Sequence, residues 1–158
     1  MVEVKFYDSI DDKFLKFAVI ISKTNGKWIF CKHKERDTYE VPGGHRESGE
    51  DILATAKREL MEETGATDFT IKPICAYSVK GQTNMMENIN DETFGMLFFA
   101  EVFSFQEIHS EIEKILITDN LVENLTYPLI QPQLIKEAKK QRIFINKNLW
   151  RIKISKLK

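Results

Sequence analysis

Gly44–Ala66 reads GHRESGEDILATAKRELMEETGA. Its ending decides the fold and points to the chemistry. A Gly-Gly turn leads into a helix carrying Glu59, Glu62 and Glu63, three carboxylates within five residues. On a helical wheel with Glu59 at 0°, Glu62 falls at about 300° and Glu63 at about 40°. Ile52, Ala56, Leu60 and Leu53 fall between about 20° and 120° on the same wheel. The acids therefore flank the apolar stripe, and Glu63 overlaps it, whereas a solvated charged face would lie opposite. Like charges crowded against a core-facing edge repel one another and resist desolvation. A bound divalent cation removes that cost, and hard cations such as Mg2+ take carboxylate oxygens and share themselves with substrate phosphates.

Outward from this stretch, the chain reads as alternating short elements. Val2–Tyr7 reads as a first strand. Lys16–Ile21 and Trp28–Cys31 flank Asn25-Gly26, the strongest short-range hairpin signal. Thr38–Val41 reads as a short strand stopped by Pro42, and Pro42-Gly43-Gly44 as a turn with closely approaching backbone. The helix is expected over 51–64, with Gly65 as its stop. Phe69–Val79 reads as a strand and Gly81–Glu92 as a polar loop. Phe94–Phe103 is nearly continuous apolar sequence, as in a strand buried on both faces. Glu113–Ile117 reads as a further strand, and Pro128 and Pro132 bracket the start of a second helix built on Leu134, Ile135 and Ala138. Leu149–Leu157 alternates apolar and basic residues, like an edge strand or a tail within 142–158. This order predicts an α/β fold of mixed α+β character, with a helix on each face of a mixed sheet.

The 158 residues suffice for a single domain spanning 1–158. A net charge of −1 gives no global pull toward nucleic acid or anionic lipid, although residues 136–158 hold nine Lys or Arg and one acid, Glu137. Cys31 and Cys75 have no CxxC partner and fit small core positions in a reducing, cytoplasmic setting. No secretory leader or membrane-length apolar run is evident, so no membrane partner is expected.

The spacing Gly44-x5-Glu50-x7-Arg58-Glu59-x2-Glu62-Glu63-x-Gly65-Ala66 resembles the Nudix box in every fixed position. Chance agreement with seven specified identities is on the order of 10⁻⁶ or less. Ala66 is the softest match, since a larger aliphatic residue is commoner there. The resemblance implies a Nudix-type α/β/α sandwich and hydrolysis of a diphosphate linkage in a nucleoside diphosphate derivative. It also implies Mg2+, with Mn2+ able to substitute. Chemistry agrees, because carboxylates cannot bind a polyphosphate directly and must hold cations that bridge to it. By the family's pattern, Glu59, Glu62 and Glu63 are metal ligands and Glu59 or a nearby acid takes the proton from the attacking water. The carbonyl of Gly43 and the carboxylate of Glu50 are expected as further ligands, Glu50 alternatively as an orienting group. Arg58 belongs to the catalytic set by fixing the glutamate rotamers. Glu113 is expected as the later acid completing the site, with Glu111 as its rival. Lys34, Arg36, His45 and Arg46 lie near the turn as phosphate contacts or surface residues, and His33 and His109 receive no role.

The substrate is less legible. The Pro about fifteen residues beyond the box, which ADP-ribose pyrophosphatases of the superfamily share, is missing, as is the Tyr of dinucleoside polyphosphate hydrolases. The run GKWIFCKHKERDTYEVPGG resembles MutT-like enzymes, particularly 8-oxo-dGTP diphosphatases of the Bacillus type. That resemblance implies a nucleoside triphosphate substrate split into nucleoside monophosphate and pyrophosphate. Phe6, Tyr77, Asn84, Met86 and Phe98 are available as base contacts. Two alternatives stand beside it: a pyrophosphohydrolase of RNA 5′ ends, using the basic C-terminal segment, and a nucleotide-binding sensor. The expected partner is a small nucleoside polyphosphate, bound by a monomer or homodimer.

Overall fold

The computed structural model describes residues 1–82 and 88–141. Its elements are β1 (Glu3–Tyr7), β2 (Leu15–Thr24), β3 (Lys27–His33), β4 (Gly43–His45), α1 (Ile52–Thr64), β5 (Ala66–Gln82), β6 (Asn88–Phe105) and β7 (Ile112–Thr118). A second helix, α2, covers residues 131–141. The strands form one mixed sheet in the order β1-β5-β6-β2-β3-β7, with β4 paired to β2 off that path. Only β2 and β6 run parallel among these pairings. The expected mixed sheet flanked by two helices is what forms.

Strand alternation divides the core in two. Leu15, Ala18, Ile20, Ile29, Phe98 and Ala100 pack with Ile52, Ala56 and Leu60 of α1. Ile21, Phe30, Tyr77, Val79 and Leu97 pack with Leu134, Ile135 and Ala138 of α2. The apolar stripe read from the helical period is thus the face α1 buries. Pro132 sits in the first turn of α2, where its missing N–H costs nothing. The Asn25-Gly26 hairpin forms with both residues at positive φ (48° and 77°), as a type I′ turn requires.

One departure from expectation creates the site. Beyond the turn, β2 and β3 pair only at Lys23–Trp28 and Thr24–Lys27. They then splay, and the segment from Tyr39 to His45 wedges between them. Glu40 exchanges two backbone hydrogen bonds with Cys31 (2.8 and 2.9 Å), and the Ile20 N–H donates to the Pro42 carbonyl (2.9 Å). Gly43–His45 then pairs with Phe17–Val19. Thr38–Val41 is therefore not a regular strand but carries two isolated bridges, Cys31↔Glu40 and Tyr39↔Leu125. The strand lies after Pro42 rather than before it, because the gap it fills is the free edge of β2.

Two further differences follow from pairing. The Gly81–Glu92 stretch is strand at both ends, since Gly81 pairs with Ile89 and Gln82 with Asn88. A hairpin partner satisfies the backbone whatever the side-chain polarity. Phe94–Phe103 is inward over most of its length, but Phe103 is 61% exposed while Val102 beside it packs into the α1 core. Leu149–Leu157 lies outside the described residues, as do Asn84 and Met86. No described helix is long and apolar enough to cross a membrane.

Candidate functional site

The two glycines of the wedge let α1 approach strand backbone. A Cβ on Gly43 would sit 2.6 Å from the carbonyl oxygen of Ala18. One on Gly44 would overlap the carboxylate of Glu59. With neither present, the N–H of Gly43 donates to Glu63 Oε1 at 2.8 Å, and the Glu59 carboxylate lies against Gly44. The helix is aimed by its ends. Asp51 caps it by accepting from the Ala54 N–H (2.8 Å), and Gly65 closes it at φ 77° with its N–H on Met61. Asp12 accepts from the Ile52 N–H (3.0 Å) and pairs with Arg46, tying the loop to the start of β2.

Arg58 organises the acids. Its guanidinium donates to Glu50 (2.6 and 3.0 Å), to Glu59 Oε1 (2.9 Å), to Glu62 Oε2 (3.3 Å) and to the His45 carbonyl (3.0 Å). Such a fork fixes carboxylates through directed bonds that an ammonium would not supply together. Arg58 thus bonds to Glu50, Glu59 and Glu62 at once. Glu50 also accepts from the Glu47 N–H and the Thr55 hydroxyl. Those bonds, the Arg58 fork above all, hold its carboxyl down to about 2. Glu50 is thus tied to Arg58, Glu47 and Thr55.

The other acids are in a different condition. Glu63 is 3% exposed, and burial pushes its carboxyl up to about 8 despite the Gly43 hydrogen bond. Burial also raises Glu59, against the pull of Arg58. Glu40 is buried and raised as well, opposed by His33 and Arg36. Glu62 projects further, its side chain 53% exposed. Buried, like-charged carboxylates held in place but undercompensated are what a divalent cation relieves.

Of the two later acids expected, Glu111 is the one that lies with the α1 carboxylates. Glu113 is turned away to Lys32 Nζ (2.6 Å) at the exposed side of β7. Glu111 precedes β7 on the inner side. Its carboxylate, Glu63 and the His33 imidazole offer ligand atoms within 4.8 Å of one another. His33 Nε2 lies 2.5 Å from Glu40 Oε1 and 3.4 Å from Glu63 Oε2. Sequence reading gave His33 no role. Strand parity was the available signal, because His33 shares a face with Ile29 and Cys31, beneath the helix that carries the glutamates.

Among the expected phosphate contacts, Arg46 is committed to Asp12, the Leu15 carbonyl and the Glu50 carbonyl. Lys34 is exposed, and Arg36 faces Glu40. His45, Lys16 and Arg36 line a cavity of about 580 Å3 that runs from Glu59 and Glu63 to α2. Tyr77 also lines it, whereas Phe98 is core under α1 and Phe6 packs on the α2 side. Gln131 and Tyr127 line it too, and sequence reading named neither. The Gly43 carbonyl remains an expectation; the contact the geometry supplies is through its N–H.

A NUDIX domain profile matches residues 13–142. This chain belongs to the Nudix family. The provisionally named 8-oxo-dGTP diphosphatase YtkD of Bacillus subtilis (strain 168) is 34% identical over 85 residues, 54% of this Nudix chain and 53% of YtkD. The match therefore spans about half of that relative's length. An ADP-ribose pyrophosphatase of the same organism is 30% identical over 146 residues, 89% of this chain and 71% of the relative. The crystal structure of a point mutant of the Bacillus subtilis pyrophosphohydrolase BsRppH superposes with a TM-score of 0.69 at 25% identity, covering 88% of this chain and 90% of that one. The family and its named pyrophosphatases support a hydrolase acting on phosphorus anhydrides. Nudix hydrolases generally use divalent metals, and the acids on α1 with Glu111 form a donor set that suits one.

Proposed function

We propose that the chain hydrolyses a diphosphate linkage of a nucleoside triphosphate, releasing nucleoside monophosphate and pyrophosphate, with 8-oxo-dGTP as the leading substrate. The observation that carries the reading is the union of the glycine-wedged carboxylates with one continuous cavity large enough for a nucleotide. Mg2+, with Mn2+ as substitute, would be held by Glu59, Glu62, Glu63 and Glu111, neutralising phosphate charge and acidifying a water. Gly43 and Arg58 keep the carboxylates oriented. Glu59, raised by burial and lying against the wedge, is the acceptor for the proton of the attacking water. Lys16 and His45 line the cavity beside Gly44, where they can meet the phosphate chain. The whole of 1–158 serves as one catalytic domain.

The test is product analysis with Mg2+ over a panel of nucleoside triphosphates, 8-oxo-dGTP, ADP-ribose and dinucleoside polyphosphates. Nucleoside monophosphate plus pyrophosphate from triphosphates supports the proposal. Turnover of ADP-ribose alone, in line with the longer of the two curated relatives, overturns the substrate assignment. A second reading, removal of pyrophosphate from RNA 5′ ends, has its support in the likeness to BsRppH. It predicts that 5′-triphosphorylated RNA outcompetes free triphosphate, and equal or weaker competition rejects it.

A further inference from the structure

Gln131 opens α2 and is 6% exposed, yet it borders the cavity. Its Oε1 accepts from the backbone N–H of Val41 at 3.1 Å. That bond fixes which end of the amide is which, because a backbone N–H needs an acceptor. The Nε2 group is left with no partner among the described residues, on the side where the cavity lies. Its backbone N–H is held by the Tyr127 carbonyl (3.0 Å), so the side chain projects from a rigid first turn. The same cavity is lined by Val41, Tyr127, Ile130 and Leu134 as well as by the charged groups around Glu63. A donor of fixed polarity at the cavity wall, with its oxygen already committed to Val41, offers its N–H groups only to what enters the cavity.

We propose that Gln131 is a base-reading residue: its Nε2 donates to a carbonyl of the nucleobase, so the site selects oxo bases over amino bases. This rests on the nucleotide reading given above. An amino group at the same ring position brings a second donor against Nε2 and leaves both unpaired, and sites built on such bonds discriminate strongly. A preference of at least about 10-fold corresponds to one modest buried hydrogen bond.

The test compares pairs differing in that group and in the proton on the adjacent ring nitrogen: ITP against ATP and UTP against CTP, by kcat/KM with Mg2+. Binding of the corresponding monophosphates is measured separately by calorimetry. The wild-type protein is expected to favour the oxo member of each pair by 10-fold or more. Gln131→Met should bring the ratios within about 2-fold, mainly through KM. Gln131→Glu at pH 8.5 keeps an acceptor for Val41, replaces the donor with an oxygen and should favour the amino base, which guards against mere misfolding of the Met variant. Hydrolysis with wild-type ratios in both variants overturns the inference while leaving the nucleotide reading intact. Absence of hydrolysis with a Gln131-dependent IMP-over-AMP binding preference overturns the reaction and sustains the inference. Equal binding of IMP and AMP by the wild-type protein overturns the inference whatever the activity.

Discussion

Gly43 and Gly44 are adjacent, but a methyl group on each meets a different kind of obstacle. At Gly43 the obstacle is the Ala18 carbonyl, 2.6 Å from the new Cβ, in a paired strand with no side chain to rotate away. Relief requires β4 to lift from β2. Overpacking of this kind costs about 2–3 kcal/mol, and for a domain of this size each kcal/mol lowers Tm by about 2–4 °C. At Gly44 the obstacle is the far end of Glu59, including Oε2 at 2.8 Å. That carboxylate can swing, at the expense of its 2.9 Å bond from Arg58. A charge-assisted hydrogen bond contributes about 1.5–3 kcal/mol, and stiffening the unfolded chain by Gly→Ala returns about 0.4–1 kcal/mol. The net loss is about 1–2 kcal/mol. Activity should respond in the opposite proportion, because a carboxylate misplaced by about 1 Å costs on the order of 10²-fold in rate. Gly44→Ala is therefore expected to lose about 100-fold in kcat/KM with a Tm drop of only a few degrees, and Gly43→Ala to show the larger Tm drop. Thermal unfolding and pyrophosphate release on the same preparations check both. A Gly44→Ala protein within threefold of wild-type activity would refute the placement of Glu59 against the wedge.

Other expectations follow from the acids. Glu62→Gln and Glu63→Gln should each lose activity well beyond the ~10–100-fold typical of an outer-shell partner, measured as pyrophosphate release with Mg2+. In the metal-free protein, ionised Glu63 works against folding: its folded value of about 8 lies above the unfolded 4.5, so stability falls as pH rises between the two. Metal-free Glu63→Gln should hence exceed wild type in Tm at pH 8–9 and match it near pH 4, and a constant difference across that range would contradict the burial argument. Glu50 behaves oppositely. Held down to about 2, it stabilises above pH 4.5 and loses that contribution as pH falls toward 2. The Tm advantage of wild type over Glu50→Gln should shrink over the same interval in an acid titration. Arg58→Lys keeps the charge but not the fork, so kcat should fall at least about 10-fold with KM little changed, and the split is read from steady-state kinetics.

The helix, its caps, its buried stripe and the hairpin were legible because each rests on local chemistry: a 3.6-residue period, Gly65 at positive φ, Asn-Gly in the turn. The carboxylates were legible because their charge conflicts with their place on the wheel. What escaped depends on pairing between distant segments. Thr38–Val41 looks like a strand by composition, but the edge available to it lies further on, where β2 and β3 have parted. Glu111 and Glu113 are two residues apart and share strand parity, so alternation cannot separate them; they part because β7 begins at Ile112 with an irregular register opposite Lys32 and His33. Gln131 carried no signal at all, since its role arises from a bond to Val41, ninety residues away. Arg46 likewise shows in its bonds to the Glu50 and Leu15 carbonyls a loop-holding contact that sequence alone does not reveal.

The wedge explains why chemistry and recognition stay in register. Val41 gives its N–H to Gln131 on the α2 side, and Gly43, two residues along, gives its N–H to Glu63 on the α1 side. Only Pro42 separates the two residues, so one short segment carries both N–H groups. Glu40 on the same segment meets His33, which reaches Glu63 as well. A displacement of this segment therefore moves the carboxylate site and the amide of α2 together. Its insertion between β2 and β3 gives it backbone bonds on both sides, to Cys31 and to Ile20. A splayed pair of strands thus forms a mount that is stiff where a single loop would flex, and it does so at the point where the helix brings its charge.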